Sequence, residues 1–398
     1  MKIAVVSVYP EKAAKHIDNA SGVAGYTKNL LKNIPLQKGD EVYVICDRKN
    51  GKSQQYKEDG FTIVRAFDRG SWSFASQIRT AVNQVQPDVV HIQHEVSLYG
   101  GIVSAYRVQW LVRSLRAFRT VVTLHHVVNL QKITKEFVAE NKSKAPVWAV
   151  KMAFPAIFKP LTRWADHLIV HEKYFKDILV KQYGASAKKI TVVHHGVEDF
   201  TPLTKADARK MLNIPKDKHM VLNMGYLAGY KGFDLLLEGF AKYAQKDPKA
   251  YLVIGSGMHP KFKNDPAYQQ EYADMQAKAE MLIGPEKYRW IGFIPEENLP
   301  AYYSACDVSL YTYTISMSSS GPMSFSVGYE RAFLGSDVFN EVLPKQVLFK
   351  RTPADVSRKL TEFFAEPKEY QKISKEMKKE RLWSTIGQRT KTVYEGSK

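Results

Sequence analysis

The run Val89-Val90-His91-Ile92-Gln93-His94-Glu95 and its successor Thr120-Val121-Val122-Thr123-Leu124-His125-His126 decide the fold. Each is apolar and β-branched for most of its length and closes on polar side chains. Nearly continuous hydrophobicity marks strands buried on both faces. Working outward, similar runs occupy Ile3 to Val8, Glu41 to Cys46, His167 to Val170 and Ile190 to Val193, with helical patterns between them. Strands separated by helices imply right-handed crossovers and a parallel sheet. After a polar stretch, Glu198 to Asp217, the pattern restarts with Val221 to Gly225, Tyr251 to Gly255, Tyr288 to Ile291 and Val308 to Tyr311. The fold class expected is therefore α/β, two doubly wound parallel-sheet domains with the ligand site in the cleft between them.

The 398 residues, 44% hydrophobic and 25% charged, have a globular composition and a length that calls for two domains. We place the first at 1–197 and the second at 198–380, with a terminal helix, 381–398, packing back on the first. Trp383 and Ile386 lie three apart on one face of that helix. The two cysteines, Cys46 and Cys306, are far apart, which excludes a Cys-based zinc site and fits a reducing, cytoplasmic setting. The N-terminus has no signal-peptide pattern. Pro146 to Leu161 is too short and too interrupted, by Lys151, Pro155, Lys159 and Pro160, to span a membrane. The basic run Lys368 to Arg381 reads as a solvated helix face.

Candidate chemistry collects where strands end. Ser21-Gly22-Val23-Ala24-Gly25 opens a helix, and its free N–H groups suit a phosphate, although glycine at such a turn also serves tight packing alone. His94, Glu95 and His125 stand at the carboxyl ends of parallel strands, where ligands of open sheets bind. His94 and Glu95 are expected on the acceptor side. In the second half, Gly225 to Gly232 joins a strand to a helix, and Lys231 at that helix start works against the dipole, which suggests an anionic partner such as a diphosphate. Ser318, Ser319, Ser320 and Gly321 precede another helix start and offer hydroxyls and amides to phosphate or sugar oxygens.

In order and spacing these motifs resemble the retaining, nucleotide-sugar-dependent glycosyltransferases of family 4, which have the GT-B fold of two Rossmann-like domains facing a cleft. The resemblance also takes in His194-His195-Gly196-Val197, Gly255-Ser256-Gly257, Gly292-Phe293-Ile294-Pro295 and Trp383 with Tyr394. It implies a hexosyltransferase in which His125 approaches the donor sugar and Lys231 the diphosphate, the two being the catalytic residues. Gly22 with Val23, and Ser318 to Gly321, would hold the diphosphate and sugar. Gly225, Gly292, Phe293, Ile294 and Glu330 would hold the nucleotide. No cofactor and no metal are expected. Two departures stand out. The family's paired glutamates are missing, since no carboxylate lies between Asp307 and Glu330, and its diphosphate-binding arginine is replaced by Tyr226 or Ala228. Reading Glu330 to Gly335 as Glu-Ala-Met-Ala-x-Gly makes Glu330 the second glutamate and leaves Pro322 at the first. Reading Gly328 to Leu334 as Gly-x-x-Lys-Pro-Val-Ile puts Met317 and Phe325 at the glutamate positions.

The donor expected by this resemblance is a nucleotide-diphosphate sugar, GDP-mannose ahead of UDP-glucose, because the family is rich in mannosyltransferases. The acceptor is a hydroxyl group of a glycan, glycoprotein or lipid-linked compound. A catalytically degenerate nucleotide-sugar-binding protein is the alternative. The 58 basic against 40 acidic residues, formally +18, attract polyanions of any kind. Arg107, Arg113, Arg116 and Arg119 around Trp110, Leu115 and Phe118 suit an amphipathic helix. It is read as a wet face, with peripheral membrane contact next and nucleic acid not expected. A homodimer is the further partner considered.

Overall fold

A computed structural model of the chain describes residues 1–12, 22–140, 144–259, 262–315 and 320–396. They fall into two compact units, Met1–Gly196 with Trp383–Lys398, and Val197–Leu382. The chain crosses between the units twice, at neighbouring positions: Val197 and Leu382 form a parallel bridge.

The first unit is built on β1 (Lys2–Val6), β2 (Glu41–Asp47), β3 (Gln54–Glu58), β4 (Phe61–Phe67), β5 (Val89–His94), β6 (Arg119–Leu124), β7 (His167–Val170) and β8 (Ile190–Val192). Their order is β3-β4-β2-β1-β5-β6-β7-β8. All neighbours are parallel except β3, which runs antiparallel to β4. The winding direction reverses between β1 and β5, so the crevice of this sheet lies beyond the carboxyl ends of those strands. All six residues of β5 are buried, as an interior strand covered on both faces requires. One face is covered by helices Phe74–Val85, Ile102–Ser114 and Val147–Trp164 through Ile78, Leu111 and Phe158; the other by Gly22–Asn33 and the terminal helix Trp383–Glu395 through Leu31, Trp383 and Ile386.

Three sequence expectations change here. β3 and β4 went unread, although Asp59-Gly60, with φ of 51° and 84°, is a two-residue hairpin turn and β4 alternates buried with half-buried residues. Of the four arginines read as one helix face, only Arg107 and Arg113 lie in the helix, which ends at Ser114; Arg119 opens β6 and donates to the Val393 carbonyl at 3.0 Å. Lys378, in the helix Pro367–Arg381, is not solvated: it is buried in ion pairs with Asp199 at 2.7 Å and Glu330 at 3.3 Å.

The second unit holds β9 (His219–Met224), β10 (Ala250–Gly255), β11 (Tyr288–Trp290), β12 (Val308–Tyr311), β13 (Ala332–Ser336) and β14 (Leu348–Phe349), all parallel, in the order β11-β10-β9-β12-β13-β14. Its direction reverses between β9 and β12. Helix Gly321–Gly328 ends at Gly328, Glu330 turns with φ of 55°, and β13 begins at Ala332. Gly328 to Leu334 therefore runs from a helix end through a turn into an apolar strand. No helix among the described residues is long and apolar enough to cross a membrane.

Candidate functional site

Each unit carries its own group of site residues at its crevice. In the first unit, Gly22 opens the helix that follows β1, with open space where its Cβ would stand. Val23 beside it is buried and packs into the core. One turn on, the Tyr26 ring meets His125 edge-on at 4.8 Å, His171 at 5.1 Å and His195 at 5.2 Å.

His125 is held by a chain of hydrogen bonds. Its Nε2 lies 2.8 Å from Gln93 Oε1, its Nδ1 3.1 Å from His171 Nε2, and His171 Nδ1 2.9 Å from the Val193 carbonyl. A carbonyl only accepts, so His171 Nδ1 carries a proton. In a neutral ring its Nε2 then accepts from His125 Nδ1–H, which leaves His125 Nε2 as an acceptor. This neutral chain requires the Gln93 amide to be turned so that its NH2, in place of the Oε1 that faces His125 in the structure, donates to it. Burial, reinforced by His171, His195, His91 and His94, holds His125 well below the usual histidine range. It is thus a neutral, oriented imidazole rather than a cation. His171 was not singled out in the sequence, yet the signal was there: it follows β7 as His125 follows β6.

His94 does not reach the crevice. It is fully buried, its ring stands edge-on to Phe158 at 6.1 Å, and neither ring nitrogen has a hydrogen-bond partner among the described residues. Burial pushes it down to about 4. Successive strand residues point to opposite faces, so Gln93 serves His125 while His94 joins the core. Glu95, the next residue, is half-buried and accepts from the Ser97 hydroxyl at 3.3 Å.

In the second unit, Gly225 follows β9 with φ of 124°, and a Cβ there would fall 1.8 Å from Lys231 Nζ. Glycine leaves room for the ammonium where it stands, and the positive φ itself favours glycine. Lys231 is 7% exposed, its Nζ lies 5.9 Å from the centre of the Tyr313 ring, and it has no anionic partner among the described residues. Burial pushes it down to about 8.

The helix Gly321–Gly328 starts beside it. Ser320 caps that helix, accepting from Met323 N–H at 3.4 Å and meeting the Tyr313 hydroxyl at 2.9 Å. Tyr303 and Tyr311 hydroxyls both donate to the Pro322 carbonyl, at 2.8 and 2.7 Å. Sequence reasoning missed these anchors; Tyr311-Thr312-Tyr313 at the end of β12 was their only trace. Ser318 and Ser319 lie outside the described residues, and Gly321 is the first helical residue.

Gly292 and Ile294 flank Phe293, which is 61% exposed with its ring parallel to Tyr226 at 5.6 Å. Gly257 permits this approach, since a Cβ there would fall 2.8 Å from Phe293. Glu330 is not brought to the group. It precedes β13, at the amino-terminal edge of the sheet, whereas Gly225, Lys231 and Ser320 stand at the carboxyl edge.

Comparison with known proteins gives this arrangement its class. Residues 20–199 match the model described as Glycosyltransferase Family 4, and residues 204–321 the one described as Glycosyl transferases group 1. The chain belongs to the family 4 glycosyltransferases. Among curated relatives, mannosylfructose-phosphate synthase of Agrobacterium fabrum is 28% identical over 150 residues, 37% of this chain and 32% of the relative. The D-inositol 3-phosphate glycosyltransferase of Streptosporangium roseum is 26% identical over 236 residues, 52% of each chain. This chain thus spans between about a third and a half of the length of those two relatives. Among solved structures, sucrose-phosphate synthase from Thermosynechococcus elongatus superimposes with a TM-score of 0.70 at 17% identity, covering 99% of this chain and 98% of that one. HepE of Anabaena in complex with UDP gives 0.68 at 12%, covering all of both chains. These likenesses establish the GT-B fold.

Proposed function

We propose that this chain is a retaining hexosyltransferase that moves a hexose from a nucleoside-diphosphate sugar to a hydroxyl acceptor and holds the diphosphate with protein groups rather than a metal. The observation that carries this reading is Lys231, a buried ammonium without a counter-charge among the described residues, set beside Gly225 and the start of helix Gly321–Gly328. Burying an unpaired charge is costly, and a diphosphate supplies the missing partner. Amides at the helix start add donors and the positive end of the dipole. The exposed Phe293 ring offers a face for the base.

The chemistry of this reading is a front-side displacement. As the bond from sugar C1 to the phosphate oxygen breaks, the acceptor oxygen bonds to C1 from the same face and its proton passes to the leaving phosphate. Lys231 stabilises the charge that develops there, a preorganised electrostatic contribution. His125, neutral and fixed, hydrogen-bonds the sugar. Ser320 and the Gly321 amide take the place of the missing glutamates. GDP-mannose is the donor we propose, supported by the mannosyl group in the name of the Agrobacterium relative; UDP-glucose is the alternative, as HepE holds UDP.

A second reading, a binding protein that has lost turnover, is favoured by the absence of any carboxylate between Asp307 and Glu330. Calorimetry with both donors, followed by hydrolysis and transfer assays, separates the two: binding without product under every acceptor selects the binding protein. Full turnover after Lys231→Ala overturns the transferase reading.

A further inference from the structure

The helices Ile102–Ser114 and Val147–Trp164 of the first unit turn an unusual surface outward. On the first, Val103, Tyr106 and Trp110 are exposed at three-to-four-residue spacing; on the second, Trp148 at 68% exposure and Met152 repeat the spacing. The two helices adjoin: the Trp110 and Trp164 ring centres lie 5.4 Å apart, the Arg113 guanidinium lies over both rings, and Gln109 donates to the Ala156 carbonyl at 3.1 Å. Trp72, 76% exposed, extends the patch, with Arg107 4.8 Å from its ring centre. Large apolar side chains left outward on adjoining elements mark an interaction surface rather than scattered exposure.

Charge selects the partner. No Asp or Glu occurs from Gly101 to Lys135, nor from Asn141 to Ala165, whereas Arg107, Arg113, Lys151 and Lys159 lie on these two helices. A second copy of the same face would set like charge against like. A protein partner would be met mainly by aromatic anchors, without acidic side chains to balance its own basic groups. Tryptophan, tyrosine and methionine above lysine and arginine stems match the headgroup region of an anionic bilayer, where rings sit at the interface and cations reach the phosphates.

We infer that this face seats the chain on an anionic lipid surface as a peripheral contact. The inference stands apart from the transfer reaction, since none of these side chains belongs to the site described above. The test is co-sedimentation of the full chain with phosphatidylcholine vesicles, with and without phosphatidylglycerol, at low and high salt. Partitioning is expected only with phosphatidylglycerol and should weaken as salt rises. Trp72→Ser with Trp148→Ser, and separately Lys151→Ala with Lys159→Ala, should each lower it on the order of tenfold. These side chains are exposed, so thermal unfolding should not change, and that measurement confirms that the variants fold. Equal partitioning with both vesicle types overturns the inference. So does unchanged binding of both variants, or a dimer in sedimentation velocity that these substitutions dissociate while vesicles capture nothing.

Discussion

Lys231 has a cost in the unliganded chain that can be measured. Its pKa falls from an ordinary 10.5 to about 8 because burial disfavours the charged form. Below pH 8 it is charged in both folded and unfolded states, so the fold bears the full burial penalty, about 3 kcal/mol. As pH rises from 8 towards 10.5 the folded state sheds the proton first, and the penalty fades. Lys231→Met is therefore expected to stabilise the ligand-free chain at pH 7, by an amount that shrinks towards pH 10, as read by urea unfolding. The same variant should lose about 2–4 kcal/mol of transition-state stabilisation in transfer. A destabilised variant with normal turnover would remove Lys231 from the site. Gln93→Leu tests the chain behind His125. It leaves a buried ring nitrogen unpaired and should cost about 1–3 kcal/mol in unfolding, with a larger loss of kcat than KM accounts for.

The terminal helix Trp383–Glu395 is part of the first unit, not an appendage. Gly387 lies against the end of helix Gly22–Asn33 so closely that a Cβ would fall 1.9 Å from the Asn33 carbonyl oxygen. Farther along, the Tyr394 hydroxyl meets His91 Nδ1 at 2.6 Å and Lys391 donates to the Pro35 carbonyl at 2.6 Å. Gly387→Ala must separate the two helices. Its expected cost is on the order of 1–3 kcal/mol, seen as a lower Tm, with the spectrum of a folded protein retained. The helix Gly321–Gly328 depends likewise on Tyr303 and Tyr311, whose hydroxyls meet at one carbonyl; losing either leaves about 1 kcal/mol less to hold the helix start.

Donor identity is settled by a measurement on the intact chain. In a thermal-shift panel, a nucleotide sugar present at 100 times its Kd adds roughly 2.7 kcal/mol to stability. A shift with GDP-mannose and a lesser one with UDP-glucose is expected; the reverse replaces the donor and leaves fold and family untouched. Transfer should persist in excess EDTA. Loss of activity that magnesium restores would replace the protein-held diphosphate with a metal-held one.

Much of this was legible before folding was considered. Apolar runs such as Val89 to Gln93 identify buried parallel strands because an interior strand has no wet face, and the end of each run falls at the same edge of the sheet because those strands point one way. Gly225 and His125 are singled out by that logic as residues of this edge, and Lys231 is singled out by its place at a helix start. What was not legible depends on side-chain direction and on neighbours distant in the chain. Gln93 and His94 are adjacent in sequence, yet one turns to the His125 chain and the other into the core against Phe158. Glu330 is close to Ser320 in sequence but stands at the opposite edge of the sheet, because a helix intervenes. Lys378 looks solvated within a basic run until Asp199 and Glu330 arrive from elsewhere to pair with it. The sequence alone determined the buried interior strands, their common direction and hence the edge where ligands of such sheets bind. The tertiary structure alone decided which polar side chains stay free for a ligand, since that depends on partners only folding supplies.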